Sequence, residues 1–542
     1  DESAKNWRAV AWRNESVHGQ FVVWSKNGAD RLRASVSALE TADGHRLPAS
    51  AVRTRFVRYV VGHATYKGKL THPERLFGDC LDDAQQLYLP PFGYRPVWLT
   101  VKVPADAHPG VYRGKLTIRA NAGDRLEFPL ELTVRSRTLP PPSQWKTYLD
   151  LWQHPWAIAR IHGVRPFTRK FWKVARPVYE TLATAGQKFI TTTLIDYAWN
   201  HQCYDAYGTM VRHIKCKDGS WKFDYEIFDK YVEFAKSCGV GPYIACYTLC
   251  PWGNILHWED EEGKAHSAKG PVGSKEYEEY WGPFLRDFTR HLKEKGWYDD
   301  TYIAMDERSP EEIKQIADFV QKNSPGMKIS LAGDRPPSDF KGTEIDCYSQ
   351  IIYDIDRHFL DEVAGRRKKG QLTTFYVCLG PKYPNTFFSS KEDEAYWIGY
   401  FPAAVGLDGF LRWAWNSWGR NPDVDGTFTA SGYSPHGNAH LCYPDGSPSW
   451  RFLKLRQGIV AAEKSRILKE MGLYDEELLD QDAKYVYDRV KSGKTSFKAF
   501  ADRTAMLVNR EEIKPTKEEV SSYFENNKES FRYDGLRAKH IL

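Results

Sequence analysis

Thr301-Tyr302-Ile303-Ala304-Met305-Asp306-Glu307-Arg308-Ser309-Pro310 is the stretch on which the fold turns. Its apolar first half reads as a buried strand, and two adjacent acids end it. Ser309 is placed to cap a helix, with Pro310 at the first helical position and helical patterning as far as Asn323. Strand, loop and helix thus follow one another within a couple of dozen residues. Adjacent strand residues point to opposite faces, so Asp306 and Glu307 share a pocket only if the chain leaves β geometry at that junction.

The same unit repeats on both sides. Strands are predicted at Lys146–Leu151, Phe189–Ile195, Pro242–Tyr247, Thr301–Met305, Lys328–Ala332, Glu344–Tyr348, Leu372–Cys378 and Gly409–Trp413. Between them lie helical patterns at Phe171–Ala185, Tyr225–Ser237, Glu276–Lys295 and Pro310–Asn323. Asp224 supplies another N-cap, and Gly239 and Gly296 supply stops. Eight strands alternating with helices predict a (β/α)₈ TIM-like barrel over residues 139–475, closed by a helix at Trp450–Met471. An open doubly wound sheet is the alternative, and the absence of GxGxxG after the first strand weighs against it.

Residues 1–138 have a different texture. Short alternating runs at Ala9–Trp12, Gly19–Trp24, Val52–Val61, Val97–Val103, Gly110–Ala120 and Leu126–Val134 are punctuated by turn signals such as Lys26-Asn27-Gly28 and Ala42-Asp43-Gly44. They predict an N-terminal β-sandwich that either packs on the barrel or binds ligand. Thr138-Leu139-Pro140-Pro141-Pro142-Ser143 reads as the linker. Residues 476–542 are richly charged and read as a helical tail.

Composition narrows the function classes. With 76 basic and 70 acidic side chains, the 542-residue chain carries a formal charge of +6. That is nearly neutral at this length and gives no electrostatic case for nucleic acid. No apolar stretch approaches the ~18 residues of a membrane span. The nine cysteines include no CxxC pair, so no zinc ribbon is expected, nor any metal or organic cofactor. The polar start without Met suits a mature secreted or periplasmic chain whose signal peptide has been removed. There are 19 Trp, 31 Tyr and 27 Phe, some of which are expected to pack on the C–H faces of sugars.

In such a barrel the active site lies at the C-terminal ends of the strands. Those ends offer carboxylates, amides and indoles, without HExxH, nucleophile elbow or P-loop. An uncharged, hydroxyl-rich ligand fits that set. Glycoside cleavage needs a proton donor and a second group to stabilise a cationic sugar, and the Asp306-Glu307 pair can divide those roles. The competing reading is that both acids merely cap the helix from Pro310. Trp413 and Trp415 share a strand face and are expected at the pocket floor, against the alternative of a buried aromatic layer, and Asn416 follows them as a further candidate. Tyr348 is placed to bond an acetamido oxygen, and the alternative for it is a core tyrosine. His154, Asn200, His201 and Trp252 follow strand ends and are further candidates for sugar contact. For the two histidines an ordinary polar loop role competes.

Several segments together resemble glycoside hydrolase family 123, the β-N-acetylgalactosaminidases. They are Leu149-Asp150-Leu151-Trp152-Gln153-His154-Pro155, Lys217-Asp218-Gly219-Ser220-Trp221-Lys222-Phe223-Asp224-Tyr225, Ala304-Met305-Asp306-Glu307, Arg412-Trp413-Ala414-Trp415-Asn416, Tyr443-Pro444-Asp445-Gly446 and Ser449-Trp450-Arg451-Phe452. The likeness runs from residue 1 to about 470. It implies a retaining, substrate-assisted mechanism, with Glu307 as general acid/base and Asp306 orienting the 2-acetamido group. The sugar's own acetamido oxygen would attack the anomeric carbon to give an oxazoline-type intermediate. The implied substrate is a glycan or glycolipid ending in β-linked N-acetylgalactosamine. A β-N-acetylhexosaminidase of other specificity and a non-catalytic glycan-binding protein are the alternatives. The segment from Lys514 to Leu542 departs from this family and resembles the lead-in to a parvulin-type prolyl isomerase domain, against the simpler reading of a charged helical tail.

Overall fold

The computed structural model describes residues 6–66, 69–121, 123–427, 433–473 and 508–509. The readings made for the C-terminal tail lie outside the described residues, apart from that last pair. Two sheets form an N-terminal β-sandwich. One has five strands in the order Trp7–Arg13, Asp124–Thr138, Gly110–Ala120, Ala29–Val36 and Leu87–Leu89. The other joins Ser16–Ser25, Gly93–Lys102 and Val52–Tyr66, with Lys69–Asp82 and Tyr433–Ser434 both paired to the last of these. Leu32, Val97, Leu99, Val101, Leu116, Leu130 and Leu132 fill the space between the sheets. Sequence patterning missed Ala29–Val36, Lys69–Asp82 and Leu87–Leu89. Ala29–Val36 shows why: it buries only Ala29 and Leu32 and leaves charged side chains in water, which blurs the period-2 signal.

The barrel has eight parallel strands: Tyr148–Leu151, Phe189–Thr193, Tyr243–Tyr247, Thr301–Asp306, Lys328–Gly333, Cys347–Ile351, Leu372–Tyr376 and Gly409–Arg412. The first pairs with the eighth, and each from the second to the eighth pairs with its neighbour in sequence. Between the first and second, a backbone ladder gives way to side-chain amides. Gln153 Oε1 accepts from Thr191 N at 2.9 Å, and Gln187 Oε1 accepts from Leu151 N at 3.0 Å. Gln187 Nε2 donates to the Phe189 carbonyl at 2.7 Å, so two glutamines close the seam.

Helices Arg169–Ala183, Glu226–Ser237, Lys275–Lys295 and Pro310–Asn323 stand where the periodicity predicts them, within two residues at each end. Ser309 caps the last of these in a reciprocal capping box with Glu312. The sixth strand begins three residues later than predicted. Asp346 precedes it, its carboxylate accepting from Ile329 N at 2.8 Å and its carbonyl from Leu372 N at 2.7 Å. The strand proper is buried although it includes Ser349 and Gln350, residues that read as loop. The strand–helix alternation also lapses once. Only a 3₁₀ turn, Pro337–Asp339, joins the fifth and sixth strands.

The loops after the second and third strands carry an unpredicted four-stranded sheet, ordered Trp221–Asp224, Arg212–Lys215, Ile255–Asp260, Ala265–Lys269. Helix Trp450–Glu470 closes the barrel and carries the sandwich contacts. Among the described residues no helix is long and apolar enough to cross a membrane.

Candidate active site

The fourth barrel strand ends at Asp306, and Glu307 donates its backbone N–H to the Ala332 carbonyl at 2.9 Å. Glu307 then takes a left-handed backbone, φ 44°. This break lets two consecutive side chains line one cavity, which a continuing strand would forbid. A non-glycine residue in that region is strained, and such strain concentrates at functional sites.

The cavity, of about 670 Å³, opens at the C-terminal ends of the strands. Trp152 from the first strand end and Trp199 from the loop after the second form its aromatic side, their rings 5.0 Å apart and both against the buried Tyr247. Trp199 donates from Nε1 to Asp306 Oδ2 at 3.0 Å. Tyr376, at the end of the seventh strand, donates its hydroxyl to Glu307 Oε1 at 2.9 Å. Each acid therefore has one oxygen fixed and one left for a ligand. Asn438 accepts from Arg412 Nη2 at 2.8 Å and from Trp413 Nε1 at 3.4 Å. Its Nδ2 donor is buried without a partner among the described residues.

Electrostatics set the two acids apart. Burial, and after it the charge of Glu307, pushes Asp306 up to about 8. Glu307 reaches toward the mouth and is exposed on one side. Its carboxyl is also raised by the surrounding walls, with the Tyr376 hydroxyl opposing that rise. Near neutral pH Asp306 therefore keeps its proton.

The candidate residues divide into two sets. Asp306, Glu307, Trp413, Asn200, His201 and Trp252 all line the cavity. His154, Tyr348, Trp415 and Asn416 do not, and each is fully buried elsewhere. His154 caps helix Pro155–Ile161 through Nδ1, has its Nε2 3.0 Å from the Asp205 carbonyl, and stacks on Tyr207 at 3.8 Å. Burial pulls its imidazole down to about 3. Tyr348 donates its hydroxyl to the Arg335 carbonyl rather than into the cavity. Trp415 packs on Phe452 of the last helix, with centroids 4.7 Å apart. Asn416 bonds the His154 backbone on both sides, accepting from N at 2.9 Å and donating to O at 3.0 Å. The eighth strand ends at Arg412, so the alternation that placed Trp415 beside Trp413 no longer applies.

Trp199, Tyr376, Tyr353, Cys378 and Asn438 also line the cavity and were not among the sequence candidates. Tyr376 was open to discovery, as the last residue of its strand. Trp199 and Asn438 sit in loops with no periodicity to place them.

The family profile for glycoside hydrolase 123, catalytic domain, matches residues 152–468, and that for the glycoside hydrolase 123 N-terminal domain matches residues 1–120. No curated protein matches the chain in a sequence search. Among solved structures, a family 123 glycoside hydrolase from Clostridium perfringens, described for glycolipid glycan hydrolysis, superposes with a TM-score of 0.83 at 24% identity, covering 96% of this chain and 94% of that one. A Bacteroides ovatus GH5 xyloglucanase (TM-score 0.33, 10% identity, covering 85% of this chain and 99% of that one) and a family 39 glycoside hydrolase from Bacteroides cellulosilyticus (0.35, 13%, 85% and 81%) are far more distant. With an acidic pair at a barrel-strand end and family profiles spanning sandwich and barrel alike, the chain belongs to glycoside hydrolase family 123.

Proposed function

We propose that this hydrolase is a retaining exo-glycosidase. It releases terminal β-linked N-acetylgalactosamine from glycans or glycolipids, with the substrate's acetamido oxygen as nucleophile. The observation that carries this reading is the convergence of Asp306 and Glu307 on one cavity whose described lining holds no other carboxylate. A retaining enzyme with its own nucleophile places a second carboxyl across the sugar, about 5 Å from the first. Two acids adjacent in sequence do not span a sugar in that way, so the attacking oxygen is assigned to the substrate. The Clostridium perfringens structure, described for glycolipid glycan hydrolysis, supports the choice of substrate class.

The proton moves as binding proceeds. The acetamido N–H of the sugar faces the free oxygen of Asp306, and that hydrogen bond favours the ionised form. The proton that Asp306 gives up then resides on Glu307, whose free oxygen delivers it to the leaving glycosidic oxygen. The acetamido carbonyl oxygen bonds the anomeric carbon as the glycosidic C–O bond breaks. Water, deprotonated by Glu307, then opens the cyclic intermediate with overall retention. The Tyr376 hydroxyl on Oε1 stabilises the carboxylate that Glu307 becomes after its acid step.

An aryl β-N-acetylgalactosaminide tests this directly. The chain should hydrolyse it, a thiazoline mimic of the cyclic intermediate should inhibit, and Glu307→Gln should lower kcat/KM by about 10³. Equal turnover of the plain aryl galactoside, which has no acetamido group, would overturn substrate assistance.

A further inference from the structure

We propose that Asp43, His45 and His108, on the β-sandwich, form a binding site for a borderline divalent transition metal such as zinc. Each side chain offers one ligand atom, and the three atoms lie within 4.8 Å of one another. His45 Nε2 stands 3.5 Å from Asp43 Oδ2. The two imidazoles lie face to face, with centroids 3.8 Å apart and an interplanar angle of 8°. The donors come from separate turns, and both turns are pinned. In the first, Thr41 N donates to the His45 carbonyl at 2.9 Å, and His45 N donates to Thr41 Oγ1 at 2.9 Å. In the second, Ala107 N donates to the Pro104 carbonyl at 3.2 Å, and the largely buried Tyr112 donates its hydroxyl to the His108 carbonyl at 2.8 Å.

The turns are also fixed to each other. Glu40 and Arg113 exchange backbone hydrogen bonds of 3.0 and 2.8 Å, and a side chain added at Gly110 would lie 3.3 Å from Thr41 Cγ2. Only the exposed imidazole rings must tilt to aim their in-plane lone pairs at one ion. Little ordering is left for the ion to impose.

Donor chemistry selects the ion. Two imidazole nitrogens and a carboxylate favour zinc, nickel or copper, whereas calcium and magnesium take oxygen ligands. Three protein ligands leave a coordination position open to water. The site shares no residue with the catalytic cavity, so an ion there would add to the stability of the folded sandwich and leave the chemistry of the barrel untouched.

Calorimetric titration of the purified, metal-free chain with zinc chloride is the test, with cobalt(II) absorption as a second readout. One equivalent of zinc should bind, and cobalt should show a visible ligand-field band. His45→Gln and His108→Gln should each weaken zinc binding about tenfold or more, while calcium and magnesium give no heat. Both substitutions lie on exposed turns, so circular dichroism and the metal-free Tm should match those of the parent chain. The rise in Tm caused by zinc should disappear in the variants. Absence of zinc binding, or a His45→Gln/His108→Gln double variant that titrates like the parent, would overturn the site.

Discussion

Glu307 is held at φ 44°, a conformation that costs a non-glycine residue about 1–2 kcal/mol. The strain is what brings its carboxyl beside that of Asp306 over one cavity. Asp306 adds a second cost. Folded, it keeps its proton to about pH 8, whereas an ordinary aspartate gives it up near 3.8. Between those values the native chain holds a proton that the unfolded chain has released, so stability falls as pH rises through the window. Asp306→Asn removes this dependence. The variant should be more stable than the parent by several kcal/mol at pH 8, by about half as much at pH 6, and by nothing near pH 3.5. It should also lose most activity. Denaturant unfolding at those three pH values reads the difference, and a gap that widens toward acid would refute the assignment. For the parent, kcat/KM should fall above about pH 8 as the pair loses its last proton. Asp306, Glu307, Asn200, His201, Trp252 and Trp413 were legible as cavity residues because strand ends can be read from apolar runs. Trp415 was misplaced because alternation was carried past Arg412, where the strand stops. Trp199 reaches Asp306 from a loop bearing left-handed Tyr197 and Asn200, a path that no period encodes.

Among the elements, the seam between the first and second barrel strands shows what a side chain can do in place of a ladder. Gln153 and Gln187 are almost wholly buried, and their amides satisfy backbone groups that strand pairing leaves open there. Replacing Gln153 by Leu keeps the volume but strands the Thr191 N–H without its acceptor. A buried backbone group left unpaired costs about 1–3 kcal/mol. Gln153→Leu should therefore lower unfolding stability by about 2–3 kcal/mol. It should also weaken activity, because Trp152, the preceding residue, lines the cavity. Urea unfolding checks the first effect and aryl glycoside turnover the second; unchanged stability would mean that the seam is closed some other way. The helices were the most legible elements. Ser309-Pro310 with Glu312 spells out a capping box, and Gly296 stops its helix in the left-handed region. The seam was illegible for the opposite reason, since Gln153 and Gln187 lie just outside the two strands, where a polar residue reads as loop.

At the scale of the whole molecule, one helix, Trp450–Glu470, locks the sandwich to the barrel with charges removed from water. Arg451 Nε and Nη2 donate to the Asp79 carboxylate at 2.7 and 2.8 Å, and the Tyr443 hydroxyl donates to it at 2.6 Å. Further along, Lys464 pairs with Glu15 at 2.5 Å, and Glu463 accepts from the backbone of Lys146 and Thr147 at 2.8 and 2.7 Å. The proline run that reads as a linker is itself docked: Leu139 N donates to the Arg13 carbonyl at 2.8 Å, and Trp145 Nε1 donates to Pro140 O at 2.8 Å. Composition marked where the chain changes texture, but not that the two parts are joined by buried ions 372 positions apart. Arg451→Met leaves Asp79 charged, buried and short of its main partner, which should cost about 3–5 kcal/mol. Replacing both, as Asp79→Leu/Arg451→Met, removes the stranded charge and should recover a substantial part of that loss. Arg451 Nη1 also holds the Gly437 carbonyl at 2.9 Å, next to Asn438 in the cavity lining. The single variant should therefore raise KM for an aryl substrate as well as lower the denaturant midpoint. If the double variant is no more stable than Arg451→Met, the stranded charge is not the source of the loss, and the lock must be credited to packing along the helix instead.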